Sequence, residues 1–178
     1  MDYLIIIVIS YLLGSIPFGL LLTKLFLKKD IRNIGSGNIG ATNVLRSGNK
    51  LVGYSTLLLD ILKAILPVIY VKFNYPDFIY ISSLSVFLGH VFPIWLKFKG
   101  GKGVATYLGI LFALSYGLSV LFIFTWVVVS LIFKYSSVSS MFASLTVFVI
   151  YTIREIAGPI FKIMSDKTSK TYEIDASL

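Results

Sequence analysis

The sequence predicts an all-α integral membrane protein, a compact polytopic bundle of about six to seven transmembrane helices. Three observations predict it. Of 178 residues, 57% are hydrophobic and only 13% are charged, about half the charge of a soluble domain. Several apolar runs approach the roughly 20 residues that a spanning helix needs. Lysine and arginine gather in short segments between those runs, the pattern of cytoplasmic loops.

The elements follow in order. Leu4–Phe26 reads as a first span, kinked at Gly14-Ser15-Ile16-Pro17 because proline interrupts the helical ladder. The segment after it carries Lys28, Lys29, Arg32, Arg46 and Lys50 against the single acid Asp30, which places this loop in the cytoplasm and the N-terminus outside. Leu51–Val71 is a second span and Phe78–Leu96 a third, returning to a basic loop with Lys97, Lys99 and Lys102. Val104–Leu114 is apolar but short, so a tilted or partly re-entrant helix is expected, with a turn at Ser115-Tyr116-Gly117. Leu118–Phe133 comes back and Val138–Ile153 leaves again. The stretch after Tyr151 carries Arg154, Glu155 and Lys162 and is broken by Gly158-Pro159. It reads as an interfacial helix with a frayed end. The domain boundary is drawn there: a membrane domain over 1–153 and an atypical tail over 154–178.

Composition excludes several functions. The net charge of +8 belongs to short loops between spans and does not point to nucleic acid. Without cysteine there is no disulfide framework, thiolate nucleophile or Cys-ligated metal. One histidine argues against a His-rich metal site, so neither metal nor cofactor is expected. The first basic residue, Lys24, follows the first apolar run, so no cleavable signal peptide is expected.

Two polar, glycine-rich stretches interrupt this apolar chain. Asn33–Gly48 contains Gly35, Gly37 and Gly40, with Ser36, Asn38, Thr42 and Asn43 as hydrogen-bonding groups and Arg46 as a fork able to grip a phosphate by two parallel bonds. A flexible cytoplasmic linker is the plainer reading, but linkers rarely order Asn, Thr and Arg among small apolar residues. Lys97–Thr106 contains Gly100-Gly101-Lys102-Gly103 just before a helix-forming run. Its backbone N–H groups are expected to point toward a bound anion, with Lys102 adding a point charge. Gly103 follows the lysine, so the spacing is not that of a nucleotide-binding P-loop and no ATP is inferred. A basic topology signal is the plainer reading of this second loop.

Three ionisable groups lie inside the spans. Asp60 and Lys63, three residues apart on one helix face, are either functional or a mutually neutralising pair that supports the first loop from behind. His90, in Gly89-His90-Val91-Phe92-Pro93, is either a general base or a packed polar residue bonded to backbone near the proline. Tyr135, Ser136, Ser137, Ser139 and Ser140 are open to cavity-lining, packing or capping roles.

These residues resemble the bacterial acyl-phosphate-dependent glycerol-3-phosphate acyltransferases of the PlsY type. The resemblance is carried by Tyr11–Gly19, Gly35–Asn43 with Arg46 and Gly48, Asp60 with Lys63, Gly89-His90 with Phe92-Pro93, and Phe98–Thr106, over roughly the first 145 residues. It implies transfer of a fatty acyl group from acyl-phosphate to glycerol 3-phosphate, giving lysophosphatidic acid and phosphate in phospholipid synthesis. It also implies a multi-pass protein of the bacterial inner membrane with its site facing the cytoplasm, in contact with membrane lipid. The resemblance makes Ser36, Arg46, Lys102 and His90 the catalytic candidates. Gly35, Gly37, Asn38, Gly40, Asn43, Gly100, Gly101 and Gly103 become candidates for substrate binding, with Asp60 and Lys63 in support. The tail departs from the family pattern: Arg154-Glu155-Ile156 has neither the His nor the Asn of the family's last motif. Two other readings remain: a transporter of a small phosphorylated solute, which predicts an inverted repeat, and a non-catalytic homologue.

Overall fold

The computed structural model describes residues 3–175, with side chains described through residue 159. Eight α-helices follow one another: α1 Tyr3–Gly14, α2 Phe18–Leu27, α3 Ala41–Arg46, α4 Lys50–Asn74, α5 Ile79–Val91, α6 Val104–Leu114, α7 Tyr116–Phe133 and α8 Ser136–Asp175. No strand occurs among the described residues. The expected kink at Gly14–Pro17 is a full break between α1 and α2, because Pro17 donates no backbone hydrogen bond. The third span runs over Pro76–Leu96, with α5 at its centre and turns at Pro76–Phe78 and Ile94–Leu96 on either side, since Pro93 ends the helix. Only Ser115 breaks the chain between α6 and α7; the expected three-residue turn is already helical from Tyr116.

Four segments are long and apolar enough to cross a membrane: Tyr3–Leu27, Pro76–Leu96, Tyr116–Phe133 and Ser136–Pro159. α4 is 25 residues long and carries Asp60 and Lys63 at its centre. α6, at 11 residues, rises only about 16 Å against a hydrocarbon core of about 30 Å. Many apolar side chains point outward, among them Leu25, Leu51, Tyr80 and Leu131, as a bilayer allows.

The chain divides into two units, residues 1–119 and 120–178. In the first, α4 is the spine: α1, α2, α3, α5 and α6 all pack on it. α1 and α5 also lie together, with Gly14 against the Val86 carbonyl and Gly89 against the Tyr11 carbonyl, where a Cβ has no room. Small residues let helices approach this closely in lipid. One apolar cluster (Leu20, Ile31, Ile39, Val44, Val52) gathers α2, the first glycine-rich loop, α3 and α4. A second (Ala64, Val68, Val86, Ile110, Ala113) joins α4, α5 and α6.

In the second unit, α8 continues past the expected end at Ile153. The tail boundary at 153/154 therefore falls inside a helix, and the break expected at Gly158-Pro159 does not occur: α8 runs through both to Asp175. Ser139, Ser140, Ser144, Thr146 and Thr152 each donate to a carbonyl four residues earlier. Hydroxyls are thereby satisfied where no water reaches. Trp126 Nε1 donates to Ser140 Oγ at 3.3 Å. The tail charges from Lys162 onward lie outside the residues whose side chains are described.

Candidate active site

The first loop begins where α2 ends. Asp30 caps a short turn at Ile31–Asn33, accepting from Arg32 N at 3.0 Å and from the Arg32 guanidinium at 2.9 and 2.6 Å. Those bonds hold the Asp30 carboxyl down at about 2 and raise the Arg32 guanidinium. Beyond this turn the backbone wraps around one buried side chain, Asn43. Its Nδ2 donates to the carbonyls of Ile31, Ile34 and Asn38 at 3.1, 2.8 and 2.8 Å, and its Oδ1 accepts from Ser36 N at 3.0 Å. Gly35 turns with φ +56°, and a Cβ there would strike Asn43 Oδ1.

Asn43 was expected to bind substrate; its amide is instead committed to the loop's own backbone. Asn38 Oδ1 likewise accepts from Gly40 N at 2.9 Å, and Gly37 N donates to Ile34 O at 3.0 Å. What the loop presents outward is side chains. Ser36 and Arg46 are both exposed, and the Arg46 Cδ passes 3.5 Å from where a Cβ on Gly35 would stand. The loop rests on α4: Gly53 lies under Leu45, and Gly19 is wedged between Ile39 O and Thr56.

The second loop is held differently. Gly100 N donates to Val91 O at 3.0 Å and Gly101 N to His90 O at 3.1 Å. This corrects the expectation that the glycine amides all face an anion: those of Gly100 and Gly101 complete the C-terminal end of α5, whose last carbonyls need donors. The N–H groups left for an anion are those of the first turn of α6, which starts from Gly103 at φ +79°. Lys102 is exposed beside them. Thr106, in that same turn, is fully buried with its hydroxyl unpaired among the described residues. Its place three residues after Gly103 in the second glycine-rich stretch is legible in the sequence.

Beneath the second loop lie the ionisable groups of the spans. Asp60 and Lys63 pair at 2.8 Å with 2% and 3% of their side chains exposed. Lys63 Nζ also donates to Ile16 O at 2.7 Å and stands 5.7 Å from the centre of the Phe18 ring. His90 is 4% exposed, with Nδ1 3.8 Å from Asp60 Oδ1, too far for a hydrogen bond. Its Nε2 faces Gly101, where a Cβ would collide with it. Two tethers bring α1 to the same place: Tyr11 OH donates to Phe92 O at 2.6 Å and Trp95 Nε1 to Ser15 Oγ at 2.7 Å.

The first loop thus rests on α4, and the second on the C-terminal end of α5, where His90 lies between Gly101 and Asp60 of α4. On α4, residues 53–56 lie against the first loop and its neighbour α2, and Asp60 lies 3.8 Å from His90. Leu96, leading into the second loop, packs on the apolar cluster of the first.

Comparison with known proteins places the chain in one family. Residues 4–167 match the family model described as glycerol-3-phosphate acyltransferase. The chain is 67% identical over 164 residues to a glycerol-3-phosphate acyltransferase of Pelagibacter ubique, covering 92% of this chain and 86% of that one. It is 56% identical over 144 residues to one from Bartonella henselae, covering 78% and 68%. Among solved structures, it superposes on the glycerol 3-phosphate form of PlsY (YgiH), an integral membrane glycerol 3-phosphate acyltransferase. The TM-score is 0.81 at 37% identity, over 88% of this chain and 78% of that one. A second match is the lysophosphatidic acid form of the same enzyme, with a TM-score of 0.78 at 36% identity over 88% and 77%.

Proposed function

The chain belongs to the glycerol-3-phosphate acyltransferase family, and on that premise we propose that it moves a fatty acyl group from acyl-phosphate to glycerol 3-phosphate. The products are lysophosphatidic acid and inorganic phosphate. The observation that supports this reading is a pair of hydrogen-bonded loops, each presenting exposed phosphate-seeking groups: Ser36 and Arg46 from the first, Lys102 from the second.

The roles divide by charge geometry. Arg46 and Ser36 hold the phosphate of the acceptor, Arg46 by a fork of parallel bonds, which turns a collision into a positioned attack. Lys102 and the first-turn amides of α6 hold the phosphate of the donor. An acyl-phosphate is a mixed anhydride and already activated. The acceptor hydroxyl oxygen bonds to the acyl carbon, the bond from that carbon to the phosphate oxygen breaks, and phosphate departs with its charge stabilised. The hydroxyl proton passes to a substrate phosphate oxygen. His90 is closed over by Gly101, which favours this substrate-assisted route. The site faces the cytoplasm of a bacterial inner membrane, a placement supported by the basic residues around both loops.

The test is direct. Purified protein in detergent is given acyl-phosphate and glycerol 3-phosphate together and separately. Phosphate release that needs both substrates is the expected result. Uptake of glycerol 3-phosphate into sealed vesicles without release would instead favour a transporter, and binding without release a non-catalytic homologue.

A further inference from the structure

Between α5 and the second glycine-rich loop the chain makes a strained turn. Lys97 and Phe98 take φ of 53° and 62°, in the left-handed region that favours glycine. Other residues persist there where the surrounding structure holds them. Four backbone bonds do so here. Leu96 N and Phe98 N donate to Pro93 O at 3.1 and 3.0 Å, Lys97 N to Ile94 O at 3.3 Å, and Lys99 N to Leu96 O at 3.1 Å. Pro93 is buried, and Leu96 packs on the first apolar cluster. The remaining side chains face outward: Lys97 and Lys99 are exposed, Trp95 is 62% exposed and Phe98 58%. A turn needed only for its bend would be served by glycine. This one keeps two large rings and two lysines on its outer side.

The position of the turn decides what covers it. The apolar segment Pro76–Leu96 ends here, so the turn lies where hydrocarbon gives way to headgroups. Tryptophan is enriched at that depth, with an apolar body and one polar N–H. Trp95 Nε1 is already satisfied by Ser15 Oγ at 2.7 Å, which leaves the ring for lipid. Neither Lys97 nor Lys99 forms an ion pair among the described residues, where Asp30 is taken by Arg32 and Lys24, and Asp60 by Lys63.

We infer that the turn Trp95–Lys99 is a docking surface for an anionic phospholipid of the surrounding bilayer. Trp95 and Phe98 lie against the upper acyl chains, and Lys97 and Lys99 against the headgroup phosphate. A zwitterionic lipid offers the same chains, but its own cation competes with the lysines for that phosphate. A headgroup of net negative charge has no such competitor, and basic residues at the surface draw it in. The docked lipid is a neighbour of the protein and not a reactant, so the inference stands apart from acyl transfer.

The test reads lipid contact at Trp95. The chain has two tryptophans, so Trp126→Phe leaves Trp95 as the only one. This parent protein is reconstituted into phosphatidylcholine vesicles in which about one lipid in ten is brominated on its upper acyl chain, as either phosphatidylglycerol or phosphatidylcholine. Quenching of Trp95 fluorescence is then measured. Brominated phosphatidylglycerol is expected to quench as though enriched about fivefold around Trp95. Adding Lys97→Asn with Lys99→Gln is expected to abolish that enrichment and to leave quenching by brominated phosphatidylcholine unchanged. Asparagine suits the left-handed backbone at position 97. Should the double change not fold, Lys99→Gln alone, at a position outside the left-handed region, is expected to remove about half of the enrichment. Equal quenching by the two lipids in the parent would overturn the inference. So would an absence of quenching by either, or an enrichment that the lysine variants keep. Loss of the enrichment on adding inorganic phosphate at matched ionic strength would identify a site for a free anion and overturn it too. Quenching needs no turnover, so a protein that releases no phosphate would refute the acyl-phosphate reading while lipid docking is still decided.

Discussion

The first glycine-rich loop is folded around a side chain, whereas the second is hung from a main chain. Asn43 holds four backbone groups of the first loop. The second is fixed by Gly100 and Gly101 donating to the end carbonyls of α5. The difference teaches where each loop is vulnerable. A loop built on one amide fails when that amide is removed. A loop built on backbone bonds tolerates side-chain changes except where there is no space for a side chain, as at Gly101. Both arrangements consume most of the loop amides internally. In the proposed reaction, recognition is therefore left to exposed side chains and to the first turn of α6.

Four changes would break or sharpen this contrast. Lys102→Met removes the point charge of the second loop and is expected to lower kcat/KM for acyl-phosphate by about 10²–10³-fold; steady-state kinetics with varied donor reads it. Asn43→Ala strips the hub of the first loop. It is expected to destabilise the protein by about 2–3 kcal/mol through unpaired buried groups and to raise KM for glycerol 3-phosphate more than KM for the donor. An equal rise in both would dissolve the distinction between the loops. Arg46→Lys keeps the charge and loses the fork, with KM for glycerol 3-phosphate expected to rise about tenfold.

Asp30→Asn is the smallest. The folded carboxyl lies at about 2, below an unfolded value near 3.9. Its pairing with Arg32 therefore stabilises the fold fully above pH ~4 and fades as pH falls toward 2. Since solvent screens this exposed pair, thermal melts at pH 7 are expected to show a loss of about 2 °C or less. The difference from wild type should vanish near pH ~2.

Much of this was legible in the sequence. The bounds of α6 follow from Gly103 and Ser115, and the first break follows from Pro17. Both loops stood out as polar, glycine-rich stretches in an apolar chain. The direction of the amides was not legible: composition shows that Gly100 and Gly101 bend easily, but the carbonyls of His90 and Val91 decide where their N–H groups point. Asn43 looked like a ligand because its type fits a binding loop equally well, and only the folded backbone reveals that its amide is already used. The bonds from Tyr11 to Phe92 and from Trp95 to Ser15 join residues about 80 apart, beyond the reach of any local pattern. The length of α8 was not legible: neither the charges at Arg154 and Glu155 nor Gly158-Pro159 end the helix, since propensity is a weak prior.

In the proposed function, Ser36 and Lys102 face one compartment as parts of a single site. The natural chain has no cysteine, so Ser36→Cys and Lys102→Cys can be labelled one at a time in sealed vesicles of known orientation with a membrane-impermeant thiol reagent. Both are expected to react from the cytoplasmic side, and glycerol 3-phosphate with acyl-phosphate is expected to protect both. Reaction of the two from opposite sides of the membrane would contradict it.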